Sequence, residues 1–212
     1  MSITCQQLLA THAKDWTAAT VHPFLAQCQQ GSIQPAQFNT WLVQDYLFVV
    51  EFTRTAARLL AAAPTQHFDV ILSGLGALQD ELSWFRAKAT ERALDLDTPR
   101  QPTCEDYCRF MVHLAEQPYV VQATAFWAIE LAYNQGWQGH SPMPTPYTEF
   151  ADRWGNPGFT DYVKLLEEQA DEALKAADVT FQVDAEEMFV KVAHLEKDFW
   201  QMAFEASEVL LG

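Results

Sequence analysis

The sequence predicts an all-α protein, a bundle of seven to nine helices. Three observations carry that expectation. Apolar side chains return at steps of three and four through long segments, which keeps them on one face of a helix. Pro and Gly punctuate the chain between those segments. No stretch alternates with the period of two that a half-buried strand requires. The 212 residues suit one large domain, 1–212, with a full core.

The first helix is expected over Ile3–Ala19, with Leu8, Leu9, His12 and Trp16 on one face. His22-Pro23-Phe24 turns the chain into a short helix that ends near Gly31. Pro35, suited to a first turn, opens a long helix with Trp41, Asp45, Phe48 and Phe52 on one stripe, ending before Pro64. The next spans about Phe68–Ala93, its inner face marked by Leu75, Leu78, Glu81, Leu82 and Phe85. After Pro99 and Pro102, Thr103 is the expected cap of a helix carrying Tyr107, Phe110, Met111 and Leu114. Pro118 starts a helix with Phe126, Trp127, Glu130, Tyr133 and Trp137 on one face. Gly139–Pro146 reads as a loop, and a short helix, about Tyr147–Arg153, follows it. Two helices close the chain, Phe159–Ala176 and Asp184–Leu210, the last with Phe189, Val192, Glu196, Phe199, Trp200 and Ala203 facing inward.

Formal net charge is −15. Such a surface repels a duplex or an anionic membrane, so neither nucleic acid nor lipid is an expected partner. The N-terminus, MSITCQQLLATHAKDW, lacks the basic start and apolar run of a signal peptide, and no apolar run is long enough to span a bilayer. The four cysteines, Cys5, Cys28, Cys104 and Cys108, form no CxxC pair and read as reduced thiols of a cytoplasmic protein.

Asp45, Glu81, Glu130 and Glu196 each break an apolar stripe, and each lies on a different helix. Singly, each is explained as a structural carboxylate bonded to a Tyr, Trp, Arg or helix end. As a set they point to one polar cavity inside the bundle, where burial would move their pKa values toward neutrality and suit them to acid–base work. No Glu-x-x-His spacing accompanies them, so no metal is expected. His12 among apolar neighbours reads as a core residue and not as a haem ligand. Cys104 and Cys108 have no flanking histidine to activate them, and packing explains both. Trp41, Phe48, Tyr107, Trp127, Tyr133 and Trp154 supply walls for a flat heteroaromatic ligand, although aromatics that merely fill a core would look the same.

In combination and order, HPF (His22–Phe24), WLVQDYLFV (Trp41–Val49), DELSWF (Asp80–Phe85), AFWAIELAY (Ala125–Tyr133), RWGNPGF (Arg153–Phe159) and LEKDFW (Leu195–Trp200) resemble the TenA/thiaminase II family over essentially the whole chain. The resemblance implies a haem-oxygenase-like fold without haem, no cofactor, and a homo-oligomer, dimer or tetramer. It also implies thiamin salvage, acting on the aminopyrimidine half of the vitamin. By the same resemblance Asp45 binds the pyrimidine amine and ring nitrogen, Glu196 is catalytic, Tyr107 lines the pocket, and Glu81 is an acidic pocket residue of the plant-like branch. Phe48 and Trp154 stand where the thiol-bearing branch has tyrosines.

That branch carries a nucleophilic cysteine in the helix of Glu130. Here the helix reads AFWAIE, and the chain is similar instead to the TenA_E branch, in which a glutamate, Glu130, takes up the role. Covalent cleavage of the bond to thiazolium needs a strong nucleophile, so thiaminase activity is not expected. Hydrolysis needs a positioned water, a base and an acid. The expected reactions are deformylation of N-formyl-4-amino-5-aminomethyl-2-methylpyrimidine and hydrolysis of the resulting amine to hydroxymethylpyrimidine and ammonia. A non-catalytic pyrimidine-binding or regulatory protein is the alternative. It would share Asp45 and the aromatic walls, and Glu130 with Glu196 separate the two.

Overall fold

A computed structural model of the protein describes residues 3–207. Among them are ten α-helices, one 3-10 turn and no strand. In chain order the first six are α1 (Cys5–Thr11), α2 (Ala13–Thr20), α3 (Pro23–Gln30), α4 (Pro35–Ala62), α5 (Phe68–Glu91) and α6 (Pro102–Leu114). Then come α7 (Tyr119–Gly139), α8 (Thr148–Trp154), α9 (Pro157–Ala176) and α10 (Val179–Phe204). No helix among the described residues is long and apolar enough to cross a membrane.

The main departures from the sequence expectation lie in three helices. The first expected helix is broken at His12, whose φ of −107° and ψ of 29° leave the helical region. The i to i−4 bonds on either side persist, His12 N to Leu8 O and Trp16 N to His12 O, so the break is a kink. Thr103 is not the cap of α6: Pro102 takes the first helical position and Gln101 precedes it as the cap. The last helix begins at Val179 and not at Asp184. The exposed Val179, Phe181 and Val183 hide that first turn from any stripe pattern. Gln182 secures it, its amide donating to Leu174 O at 3.1 Å and Ala177 O at 3.0 Å. The helix ends at Phe204, short of the expected Leu210, and residues 208–210 lie outside the described residues.

The chain divides into two compact units: one runs up to Ile33 and resumes over Gln117–Asp198, and the other comprises Gln34–Glu116 with the residues from Phe199 onward. In the first, α7 is buried almost along its whole length and packs on α2, α8 and α9. Its core is aromatic: Phe189 lies between Trp16, stacked at 5.0 Å, and Trp127, stacked at 5.8 Å. Trp16 is not left with a bare indole, since its Nε1 donates to Gln135 Oε1 at 2.7 Å. In the second, α4 packs on α5 and α6. Trp41 meets Phe38 of its own helix at 5.1 Å, Phe85 of α5 at 6.4 Å and Trp200 at 6.4 Å.

Candidate functional site

Helix α4 carries Asp45 on the stripe of Trp41, Phe48 and Phe52, all buried, and Asp45 itself is fully buried at 0% exposure. The facing surfaces are set by aromatic contacts. Phe48 meets Tyr107 of α6 at 4.8 Å and stacks on Phe52 at 5.6 Å. Phe48 and Tyr107 are thus brought together. Cys104, one turn before Cys108 on α6, donates to Gln44 O at 3.4 Å, which puts this thiol beside Asp45. The Cys108 partner, burial and the Asp45 carboxylate together push the Cys104 thiol far up. On α5, Glu81 is half-buried, one turn before the fully buried Phe85 that meets Trp41.

In the other unit, Glu130 sits on α7 among buried Phe126, Trp127 and Tyr133, yet is itself half-buried. Tyr133 and Trp154 are brought together edge to face at 5.7 Å, and Trp154 stacks on Trp137 at 5.4 Å. Trp127 instead stacks on Phe189, and its buried Nε1 donor has no hydrogen-bond partner among the described residues. Glu196 on α10 is 1% exposed, flanked by buried Val192, Leu195 and Phe199. Of the four acids the sequence singles out, Asp45 and Glu196 are therefore withdrawn from water, while Glu130 and Glu81 keep partial contact with it.

Three further residues shape these surroundings, of which the sequence reading names only Gly155, as part of a turn. Asn134 is 2% exposed and donates to Trp154 O at 2.7 Å and Thr160 Oγ1 at 3.1 Å, fixing the α8–α9 corner on α7. Gly155 makes that corner possible, because an added Cβ would lie 2.7 Å from Ala151 O and 3.1 Å from Gln138 Cα. Glu51 is a further buried acid, 6% exposed, and it is tied off by Arg54 at 2.8 Å, Arg58 at 3.1 Å and Arg100 at 3.7 Å. The basic residues three and seven places on were its sequence signal.

His12 is half-buried, with Nε2 2.7 Å from Glu186 Oε1. All four cysteines are free and buried. Among the described residues, no three of His, Cys, Asp and Glu are grouped as metal ligands are.

The model of the TENA/THI-4/PQQC family matches residues 9–206. A probable bifunctional TENA-E protein of Glycine max is 34% identical over 207 residues, covering 92% of this chain and 90% of its own. An aminopyrimidine aminohydrolase of Halalkalibacterium halodurans is 25% identical over 203 residues, covering 89% of this chain and 90% of its own. Among solved structures, a TenA homologue of Pyrococcus furiosus superposes with a TM-score of 0.90 at 26% identity, over 94% of this chain and 98% of that one. The fold is accordingly of the all-α, haem-oxygenase-like kind.

Proposed function

Because the chain belongs to the TENA/THI-4/PQQC family, we propose that it is a thiamin-salvage hydrolase acting on aminopyrimidine breakdown products. Its two expected reactions are removal of the formyl group from formylaminopyrimidine and hydrolysis of the aminomethyl product. The observation that carries the reading is the burial of Asp45 and Glu196, at 0% and 1% exposure, on the QDY and EKDF segments of the family pattern. The names of the Glycine max and Halalkalibacterium halodurans relatives support the same class of chemistry.

In this reading Asp45 accepts from the exocyclic amine of the ring and fixes its orientation. Glu81 holds the amine or the formyl-bearing arm. Phe48, Tyr107, Trp127, Tyr133 and Trp154 are the aromatic residues this reading assigns to contact with the ring. Glu130 and Glu196 divide the proton work. One takes a proton from water as its oxygen bonds to the formyl carbon, and the other delivers a proton to the departing nitrogen, giving formate and the free amine. In the second reaction water bonds to the methylene carbon, the carbon–nitrogen bond breaks, and ammonia leaves with the delivered proton. None of this needs a thiol, and helix α7 contains none.

The test supplies purified protein with the formylated pyrimidine and the amine separately, and measures formate and ammonia. Both are expected. Tight binding of hydroxymethylpyrimidine with neither product would support the binding-protein alternative instead.

A further inference from the structure

A cavity of about 800 Å³ opens beside the first half of α4, and none of the residues assigned above to the reaction lines it. Asn39, Thr40 and Val43 of α4 form one wall, and Asp95, Thr98 and Pro99 from the α5–α6 connection form the other. The connection is held there by Gln44, a buried amide spent entirely on backbone: its Oε1 accepts from Gln101 N at 2.7 Å and its Nε2 donates to Pro99 O at 3.3 Å. The gap beneath is thus a built feature of the loop.

Thr40 is 7% exposed, and its hydroxyl makes no hydrogen bond among the described residues. Thr53 and Thr55 on the same helix show the usual alternative, each bonding the carbonyl four residues back, at 2.8 Å and 3.0 Å. Thr40 lines the cavity, and a hydroxyl there that forgoes this option keeps its hydrogen-bonding capacity for whatever occupies the cavity. Asn39 spends its Oδ1 on Arg92 at 3.1 Å, which leaves its amide N–H groups free to donate. The Thr98 hydroxyl is likewise uncommitted among the described residues. Asp95 sets a carboxylate at the rim, and no Lys or Arg lines the cavity. With a net charge of −15 on the chain, this chemistry disfavours anions and suits a neutral or cationic molecule bearing an amine.

We propose that this cavity is a second, non-catalytic site for an aminopyrimidine. The identity of the ligand rests on the function proposed above. The ring amine donates to Thr40 Oγ1 or Asp95, a ring nitrogen accepts from the Asn39 amide, and the ring face lies against Val43 and Pro99.

Calorimetric titration with 4-amino-5-hydroxymethyl-2-methylpyrimidine, which does not turn over, tests this. The wild type takes up two equivalents per chain. Asp45→Asn retains one of them. In that background Thr40→Val, which keeps the shape and removes one hydrogen bond, weakens the remaining equivalent roughly tenfold. Leu94→Trp, which fills the cavity from the loop side, abolishes it, and inorganic phosphate does not bind. A single wild-type equivalent that Asp45→Asn removes would overturn the site. So would a remaining equivalent indifferent to both Thr40→Val and Leu94→Trp. Ammonia release by the wild type is measured alongside: turnover without a Thr40-dependent equivalent overturns the cavity alone, and two equivalents without turnover overturn only the enzymatic reading.

Discussion

Phe48 on α4 and Tyr107 on α6 meet with ring centroids 4.8 Å apart and planes inclined by 58°. Tyr107 is 1% exposed and also lies 6.4 Å from Phe199, so the pair is one corner of an aromatic cluster. Tyr107→Ala empties that corner and should cost about 3–5 kcal/mol. Tyr107→Phe keeps the ring and should cost less than about 1.5 kcal/mol. Urea unfolding of both variants checks the difference; equal losses would mean that the hydroxyl, and not the ring, holds the corner.

Ala93 has φ of 53° at the end of α5, where Leu94 N bonds Ala89 O and Ala93 N bonds Thr90 O. This is the left-handed position that closes a helix, and glycine is the residue that meets it without a side-chain penalty. Ala93→Gly should therefore stabilise the protein by about 1 kcal/mol. A lower urea midpoint in the variant would contradict this.

Two thiols give a pH prediction. Burial pushes Cys28 up to about 12, and burial with the Asp171 carboxylate raises Cys5 further. Each folded value lies above the unfolded thiol value of about 8.5. The neutral form is favoured by folding, so this contribution is complete below about pH 8.5 and is lost as pH rises toward the folded value. Stability should fall above about pH 9, and Cys28→Ala should reduce the slope. Iodoacetamide at pH 8 should label neither Cys5 nor Cys28 until urea is added; rapid native labelling, read by mass spectrometry, would contradict their burial.

How much of this was legible in the sequence varies residue by residue. Asp45 and Glu196 are buried where the apolar stripes placed them, because long helices keep their phase over many turns. Glu130 and Glu81 shared that pattern and yet are only half-buried. A stripe gives the direction of a side chain but not the depth of what covers it. The kink at His12 and the first turn of α10 were hidden for another reason. His12 is bonded to Glu186, 174 residues away, and Gln182 to the Leu174 and Ala177 carbonyls of the preceding helix end, contacts that an apolar stripe pattern does not register. Glu51 was passed over because its acid lies outside the aromatic stripe, although Arg54 and Arg58 were there to be read.

The cysteines predict a limit on activity. None lies on α7, and Cys104, the thiol beside Asp45, is held far from the thiolate form. Cleavage of thiamin to its thiazole should be at least about 100-fold slower than release of ammonia from the aminomethylpyrimidine, since α7, where the thiol-bearing branch carries its nucleophile, has no cysteine. Comparable rates in a coupled chromatographic assay would show that another group supplies one.

The most direct measurement is steady-state ammonia release from 4-amino-5-aminomethyl-2-methylpyrimidine by the wild type and by Glu196→Gln, with hydroxymethylpyrimidine affinity measured in parallel. A positioned acid or base contributes about 100-fold or more, so kcat should fall by at least that factor while the ligand still binds. Glu196→Gln turning over within threefold of the wild type would contradict the carboxylate mechanism.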